Sequence, residues 1–209
     1  MSFPKIFIVE GNIGAGKSTF LKRISENLPD SQVIFEPVEE WEEIKDETGT
    51  NTLQHFYRDP KKYSYLFQSM AFITRFKGLR KIDRSKKYVF IERSIFSDKN
   101  IFATNCYNSG LMEQIEWMVY NKWFSEMSSL IDFPFTFVYL KCSPSTSELR
   151  ISNRNRQGES SISTQYLTDL YNLHENWLTP EKAIIVDGEL DFKEDDYSLK
   201  IMVEQIINN

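Results

Sequence analysis

IVEGNIGAGKST, residues 8–19, is the stretch of sequence that decides the fold. It places Gly11, Gly16, Lys17 and Ser18 at the spacing GxxxxGK[ST], between a short apolar run and a helical pattern, which is the context of a phosphate-binding loop. The glycines let successive backbone N–H groups point into one concavity, Lys17 brings a positive charge to a phosphate, and Ser18 offers a hydroxyl to Mg²⁺. The chain is therefore predicted to bind a nucleoside triphosphate.

The composition predicts one domain, residues 1–209, long enough for a sizeable core. The net charge of -5 argues against a general nucleic-acid binder, and no apolar run approaches the roughly 18 residues of a membrane span. The first strand is predicted to begin within a few residues of Met1, which leaves no room for a targeting segment. Cys106 and Cys142 lie far apart without metal-ligand spacing and are expected to be free thiols. We therefore expect a cytoplasmic protein whose partners include neither nucleic acid nor membrane.

Short apolar runs alternate with longer helical patterns, which predicts an α/β fold whose parallel sheet is covered by helices on both faces. The predicted strands are Lys5–Val9, Gln32–Phe35, Tyr88–Ile91, Phe135–Leu140 and Ala183–Val186. The predicted helices are Ser18–Leu28, Thr52–Tyr57, Lys61–Arg84, Phe96–Tyr107, Leu111–Leu130, Ser145–Ser152, Thr164–Leu178 and Asp195–Ile207.

Polar side chains follow the predicted strands where a parallel sheet binds its ligands, at the carboxyl ends. Glu36 follows the second strand, and Glu92 and Arg93 follow the third. A carboxylate directly after a buried strand is costly without a partner. Glu92 is placed to act with Ser18 on Mg²⁺, and Glu36 to accept a proton from, or to orient, an attacking hydroxyl. A capping or salt-bridged role is the alternative for each glutamate.

Two further features each allow two interpretations. The long helices Lys61–Arg84 and Leu111–Leu130 carry large apolar residues on more than one face, so they are either central core helices or part of a dimer interface. Residues 150–156, RISNRNR, form either a solvated helix end or a mobile lid whose arginines close on the β- and γ-phosphates.

Several blocks together resemble the deoxyribonucleoside kinase family, of the deoxycytidine kinase and deoxyguanosine kinase type. The blocks are EGNIGAGKST at 10–19, EPVEEW at 36–41, LQHFYRDPKKYSYLFQ at 53–68, ERSIFSDKNIFA at 92–103, RISNRNR at 150–156, YLTDLYNLHENWL at 166–178 and VDGELDF at 186–192. Many nucleotide-binding proteins share the phosphate loop, whereas EPVxxW, the FQ helix and ERSxxSD together are specific to this family. The resemblance implies a P-loop kinase fold with a five-stranded parallel sheet. It also implies a homodimer through the two long helices, which favours the interface interpretation.

The resemblance further implies an enzyme of nucleotide salvage that transfers the γ-phosphate of ATP, with Mg²⁺, to the 5′-hydroxyl of a deoxynucleoside. Glu36 matches the general base, Arg93 the arginine that holds this carboxylate and the 5′ oxygen, and Lys17 a phosphate-binding lysine. Ser18 and Glu92 match the Mg²⁺ positions. The implied donor site consists of the phosphate loop, the lid arginines and a loop beside the donor base: Gly11, Asn12, Ile13, Gly14, Ala15, Gly16, Lys17, Ser18, Thr19, Arg150, Arg154, Arg156, Asp191 and Phe192.

The implied acceptor site surrounds the sugar and the base of the nucleoside. Tyr57 and Glu159 match the pair that binds the 3′-hydroxyl, and Gln68 matches the glutamine that pairs with the base edge. The implied set is Glu36, Trp41, Leu53, Tyr57, Phe67, Gln68, Ala71, Arg75, Arg93, Asp98, Phe102 and Glu159. The lid is expected at about residues 150–160.

Three positions are expected to select the base. Asp98, held by Arg75, can accept a hydrogen bond from an exocyclic amine, which cytosine and adenine have and thymine lacks. Ala71 is small and leaves room for a larger base. We therefore expect deoxycytidine and the deoxypurine nucleosides to be better acceptors than thymidine.

Two other functions compete with this interpretation. A nucleoside-monophosphate kinase of similar fold would need arginines facing the acceptor phosphate in place of Glu36 and Glu159, because carboxylates repel a phosphorylated acceptor. A catalytically silent nucleotide-binding subunit would be expected to lack Lys17, Glu36 or the lid arginines, and all of these are present.

Overall fold

The computed structural model describes residues 3–154 and 162–209. Its strands pair in parallel in the order β2-β3-β1-β4-β5. They are β1 (Lys5–Glu10), β2 (Ser31–Ile34), β3 (Tyr88–Glu92), β4 (Thr136–Lys141) and β5 (Ala183–Asp187). The predicted α/β class and parallel sheet are confirmed, and each predicted strand lies within one residue of its observed bounds.

The central strands are buried because both faces of the sheet are covered by helices. Phe7 and Val9 of β1 point to one face and pack in a cluster with Phe20 and Ile24, which follow the phosphate loop. The alternate residues of β1 point to the other face, where Ile8 packs with residues of the neighbouring strands. This packing fixes the carboxyl ends of β1 and β3 side by side, where the cleft opens.

The helices fill the connections between strands. They are α1 (Lys17–Asn27), α2 (Val38–Glu43), α3 (Thr52–Arg58), α4 (Pro60–Gly78), α5 (Ile95–Ser97), α6 (Thr104–Asn108), α7 (Gln114–Ser128), α8 (Pro144–Arg154), α9 (Thr164–Trp177) and α10 (Asp196–Ile207). A 3₁₀ turn, Leu79–Lys81, follows α4, and a π-helical segment, Asp98–Ala103, joins α5 to α6.

The predicted helix Lys61–Arg84 is too long, since α4 ends at Gly78 and the turn ends at Lys81. The Gln32 side chain explains the stop: its amide donates to Lys81 O at 2.7 Å and accepts from Asp83 N at 2.8 Å, which holds the chain in a non-helical path toward β3. Glycine also lowers helix stability at this point.

The helix predicted at Leu111–Leu130 is shorter in the structure, where α7 begins at Gln114 and ends at Ser128. α7 begins at Gln114 because Glu113 caps it and pairs reciprocally with Glu116, as in a capping box. The predicted helix Phe96–Tyr107 is continuous but contains the π-helical segment, whose turns are wider than those of an α-helix. Just after this segment, Thr104 Oγ1 donates to Lys99 O at 2.7 Å. The short helix α2 was not predicted.

Candidate active site

A cleft of about 1190 Å³ opens at the carboxyl ends of β1, β2 and β3. Its donor half is lined by residues 13, 14 and 16–19 of the phosphate loop, with Arg150 and Phe192 beside them. Its acceptor half is lined by side chains that follow β2 and β3 and by α3, α4 and the π-helical segment. The residues of the acceptor half used below are Glu36, Trp41, Leu53, Tyr57, Phe67, Gln68, Ala71, Arg75, Arg93, Asp98 and Phe102.

The phosphate loop keeps its shape because two of its glycines have no room for a side chain. Gly14 has a φ of 78°, and a Cβ there would lie 2.4 Å from Ser147 O in α8. Gly16 has a φ of 93°, and a Cβ there would lie 2.8 Å from the ring of Phe192. Both φ values lie in the left-handed region that favours glycine. The loop is thus pressed against α8 on one side and against Phe192 on the other.

Lys17 opens α1 and its ammonium group folds back along the loop. Its Nζ donates to Gly11 O at 3.2 Å and to Asn12 O at 2.8 Å. Burial, and next the charge of Arg93, lower the pKa of Lys17 from 10.5 to about 7. The ammonium group therefore lies within the concavity that the loop forms.

Arg150, in α8, contacts the phosphate loop. Its Nη1 donates to Ala15 O at 3.0 Å and to Gly188 O at 2.8 Å, and its guanidinium lies 5.8 Å from the ring centre of Phe192. It ties the phosphate loop to the turn after β5, because α8 places it directly over both. Arg150 also lines the cleft, and its role in closing on the phosphates stays a prediction.

Ser18 and Glu92 meet between the two halves of the cleft. Ser18 Oγ donates to Glu92 Oε1 at 2.6 Å, and the backbone N–H of Glu36 lies 3.5 Å from Glu92 Oε2. A hydroxyl and a carboxylate are hard oxygen ligands, and Mg²⁺ is commonly bound by one or two carboxylates together with phosphate oxygens. The pair therefore fits a magnesium ion that a bound triphosphate helps to hold. Among residues 3–154 and 162–209, no cluster of three His, Cys, Asp or Glu side chains could hold a metal ion by itself.

Glu36 lies between two arginines in the acceptor half. Arg93 Nε is 3.1 Å from Glu36 Oε1, and Arg75 Nη2 donates to the same oxygen. Burial raises the pKa of Glu36, but the guanidinium groups of Arg75 and then Arg93 outweigh burial and lower it to about 2. Glu36 is thus a firmly ionised carboxylate whose charge is balanced on both sides.

Arg93 reaches Glu36 from an unusual backbone conformation. Its φ is 62°, in the left-handed region, which is rare and strained for a residue with a side chain. From there its Nη1 donates to Gly11 O at 2.8 Å, and its guanidinium stacks 4.7 Å from the ring centre of Phe102. One residue thereby connects the phosphate loop, the carboxylate Glu36 and the wall of the acceptor half.

The far end of the acceptor half is an aromatic box around buried polar groups. Trp41 packs edge-on against Phe67 with ring centres 5.4 Å apart, and its indole N–H donates to Thr74 Oγ1 at 2.9 Å. Asp98 is fully buried on the π-helical segment, where Arg75 Nη1 pairs with its Oδ1. The predicted contact between Arg75 and Asp98 is therefore present.

The structure brings most of the predicted site residues to this one cleft. Leu53, Tyr57, Gln68, Ala71, Arg154 and Asp191 line it with the residues already described. Asn12 instead points away, since its side-chain amide donates to Leu167 O at 2.9 Å and so anchors the loop to α9. Arg156 and Glu159 lie outside the described residues.

The sequence analysis assigned no role to two residues, one buried at the end of β1 and one that lines the cleft. Glu10, the last residue of β1, is fully buried and its Oε1 accepts from Ser94 Oγ at 2.6 Å. Burial raises the pKa of Glu10, against the hydrogen bond from Ser94 that lowers it. An acid at the end of an otherwise apolar strand was the available signal. Tyr166, at the start of α9, lines the cleft and carried no such signal.

The cleft thus combines a phosphate-binding loop with an ionised carboxylate beside a box suited to a flat polar ring. The deoxynucleoside kinase family model matches residues 7–209 of this chain. The chain is 36% identical over 196 residues to a probable deoxycytidine kinase of Fowlpox virus, which covers 90% of this chain and 80% of the relative.

Two vertebrate relatives cover similar shares. Deoxycytidine kinase of Rattus norvegicus is 33% identical over 235 residues, with 96% of this chain and 90% of the relative covered. A mitochondrial deoxyguanosine kinase of Xenopus laevis is 34% identical over 191 residues, with 82% and 72% covered.

Proposed function

The chain belongs to the deoxynucleoside kinase family, and from this premise we propose that it phosphorylates the 5′-hydroxyl of deoxycytidine and of deoxypurine nucleosides in preference to thymidine. The phosphate donor is ATP, and the product enters nucleotide salvage. The observation that carries the base preference is Asp98, a fully buried acceptor held by Arg75 at the far end of the acceptor half. An exocyclic amine can satisfy this acceptor, whereas the carbonyl that thymine presents would leave it unpaired.

The contacts around Glu36 support the proposed assignment of the reacting groups. Its carboxylate takes the proton of the 5′-hydroxyl while the bond from the 5′ oxygen to the γ-phosphorus forms and the bond to the β–γ bridging oxygen breaks. ADP leaves with the electrons of the broken bond. Arg93 holds both Glu36 and the 5′ oxygen, and Lys17 moves its charge from two loop carbonyls onto phosphate oxygens.

Ser18 and Glu92 would hold the magnesium ion. When bound there, the ion supplies neutralisation of the phosphate charge. The role of Lys17 is supported by its place in the donor half, and that of Ser18 and Glu92 by their 2.6 Å contact where the two halves meet.

A monophosphate acceptor fits the site less well than a nucleoside. Arg75 and Arg93 both pair with Glu36, and Arg75 also pairs with Asp98. A nucleoside, which carries no phosphate, avoids repulsion from the carboxylates.

The test is the specificity profile. kcat/KM is measured for deoxycytidine, deoxyadenosine, deoxyguanosine and thymidine with ATP and Mg²⁺, by coupled ADP release. Thymidine is expected to be the poorest acceptor, and thymidine as the best acceptor would overturn the preference. Arg75→Met combined with Asp98→Ala is expected to shift preference toward thymidine. Turnover of deoxycytidine monophosphate but not of deoxycytidine would favour a monophosphate kinase.

We also propose that the chain forms a homodimer through α4 and α7. These adjacent helices expose large apolar side chains, each between 40% and 63% exposed: Leu66, Ile73, Ile115, Met118, Val119 and Trp123. A second copy of the chain would cover such a stripe. Trp123→Glu is expected to give a monomer in light scattering, whereas Tyr197→Glu, at an exposed aromatic residue of α10, should stay dimeric. A monomeric wild type would contradict the proposal.

The remaining proposals concern the whole chain. Residues 1–209 form one kinase domain whose lid spans about 150–160, partly outside the described residues. Within residues 3–154 and 162–209, no helix is both long and apolar enough to cross a membrane. A cytoplasmic location is supported by the two unpaired buried thiols, Cys106 and Cys142, because reducing compartments keep thiols free. Imaging of the tagged chain in cells checks this location.

A further inference from the structure

The turn that follows β3 is held by the end of β1, its neighbour in the sheet. The backbone N–H of Arg93 donates to Val9 O at 3.0 Å, and Arg93 Nη1 donates to Gly11 O at 2.8 Å. Between these two bonds lies a third, in which Ser94 Oγ donates to Glu10 Oε1 at 2.6 Å. Three consecutive residues at the end of β1 therefore hold two consecutive residues after β3.

The hydroxyl of Ser94 is fully used in this arrangement. A hydroxyl has one proton to donate and two lone pairs that accept. The proton goes to Glu10, and the lone pairs accept from the backbone N–H groups of Phe96 at 3.2 Å and Ser97 at 3.3 Å, which caps α5. Glu10 thus fixes the hydroxyl in the orientation that also begins the helix.

Glu10 is a costly residue for this position. It is fully buried, and its second oxygen, Oε2, has no hydrogen-bond partner among the described residues. Burying a carboxyl oxygen without a partner costs free energy. Residues 6–9, which precede it in β1, are apolar and buried, so packing alone would favour an apolar side chain here. The hydrogen bond with Ser94 is therefore what an acid provides at this position and an apolar residue could not.

The residue held by these contacts is strained. The φ of Arg93 is 62°, and such a conformation persists only where the surrounding structure over-determines it. The bond from its own N–H lies on one side of its Cα, and the bond from Ser94 to Glu10 lies on the other. With its backbone fixed on both sides, the side chain of Arg93 is directed so that Nε lies 3.1 Å from Glu36 Oε1.

We propose that Glu10 is a positioning residue of the reaction: through Ser94 it holds Arg93 in the left-handed conformation and so sets where Arg93 meets the acceptor. This role rests on the proposed function, in which Arg93 holds Glu36 and the 5′ oxygen. Glu10 is itself fully buried and acts only through its neighbours. Because a displacement of about 1 Å can lower a rate about a hundred-fold, the role concerns the transfer step more than nucleoside binding.

Single-turnover phosphoryl transfer at saturating deoxycytidine and ATP tests this role. Glu10→Ala should lower the rate about tenfold or more, because Arg93 is no longer held in place. The dissociation constant of deoxycytidine, measured by calorimetry without ATP, should stay within about threefold, since the base pocket is unchanged. Glu10→Gln keeps an oxygen that accepts from Ser94 and should restore most of the rate. An unchanged rate in Glu10→Ala, or equal losses in the two variants, would overturn the proposal.

A variant of Arg93 shows whether Glu10 acts through it. In the Arg93→Lys background the guanidinium is gone, so adding Glu10→Ala should change the rate less than about twofold. A further loss of about tenfold would mean that Glu10 acts by another route, which contradicts the proposal. Ile206→Val, in the core beneath α10, is the control for lost stability and should keep the wild-type rate. A loss in Ile206→Val as large as in Glu10→Ala would assign the effect to stability alone.

A second measurement needs no turnover. The ¹⁵Nε–H resonance of Arg93 reports the surroundings of its guanidinium and is assigned by its loss in Arg93→Lys. It should shift or broaden in Glu10→Ala and return in Glu10→Gln, and a spectrum of Glu10→Ala identical to the wild type would overturn the proposal. A wild type that phosphorylates no nucleoside overturns the proposed function, while the resonance still decides what holds Arg93. An active wild type with an equally active Glu10→Ala overturns the positioning role alone.

Discussion

The donor half and the acceptor half of the cleft are built from different parts of the polypeptide. The donor half is mainly backbone: left-handed glycines at Gly14 and Gly16 and one lysine, all within residues 11–19. The acceptor half is made of buried charged side chains, of which Glu36, Arg75 and Arg93 contact one another. A site made of backbone groups is lost when the loop changes shape, whereas a site made of buried charged side chains is lost when one of those charges is removed. The two halves should therefore fail in different ways.

The largest expected effect lies in the donor half. Lys17→Met should lower kcat/KM about a thousand-fold, because a preorganised positive charge on the transferring phosphate is lost. Deoxycytidine binding, measured by calorimetry without ATP, should stay within about twofold, since the acceptor half is intact. Lys200→Met, on the exposed side of α10, is the control and should retain activity. Loss of nucleoside binding in Lys17→Met would mean that the halves are not separable.

The next effect lies in the acceptor half. Glu36→Gln should lower the single-turnover rate about a hundred-fold through loss of the proton acceptor. ATP binding should be unchanged, which equilibrium binding of a fluorescent ATP analogue can measure. Glu43→Gln, a surface glutamate of α2, is the control. A Glu36→Gln enzyme with an unchanged transfer rate would remove Glu36 from the chemistry.

A smaller effect is expected where the halves meet. Ser18→Ala should raise the Mg²⁺ concentration needed for half-maximal activity about tenfold, because one of two protein ligands is lost. Ser25→Ala, further along α1, should leave that concentration unchanged. If Ser18→Ala alters only KM for the nucleoside, the hydroxyl serves the acceptor and not the metal.

The smallest expected effect is on the free energy of unfolding, and it concerns the buried carboxyl group of Glu10. Because burial raises the pKa of Glu10 in the folded state above the ordinary glutamate value of 4.5, the folded state binds more protons than the unfolded state as pH rises above that value. The free energy of unfolding of the wild type therefore falls as pH rises through the folded pKa. Glu10→Gln lacks this loss, so its stability relative to the wild type should be higher at pH 8 than at pH 5. Glu10→Ala leaves Ser94 without its partner and should cost about 1–2 kcal/mol. Urea unfolding at both pH values measures these differences, and equal stability changes at the two would contradict the assigned shift.

The sequence allowed the donor half and the sheet to be predicted because their signals are local. GxxxxGK[ST] fixes the loop within 8 positions of chain, and buried strands appear as short apolar runs. Glu36, Arg75 and Asp98 come from distant positions, and their grouping followed from the family resemblance.

What escaped prediction depends on long-range contacts. The end of α4 is set by Gln32, and the position of Arg150 is set by two carbonyls on separate loops. The double contact of Arg75 depends on the π-helical segment that places Asp98 beside it. No periodicity within a single segment contains this information.

The left-handed backbone of Arg93 bears on how the protein would respond to selection. A side chain in that conformation costs on the order of 1 kcal/mol, which glycine would not pay. Glycine at position 93 would relieve this strain but would also remove the buried contacts of the side chain with Glu36 and with Gly11 O, whose loss is expected to cost more than the strain. Selection of a laboratory lineage for heat resistance alone should therefore keep arginine at position 93, so its strained backbone is preserved by packing as well as by any demand for turnover.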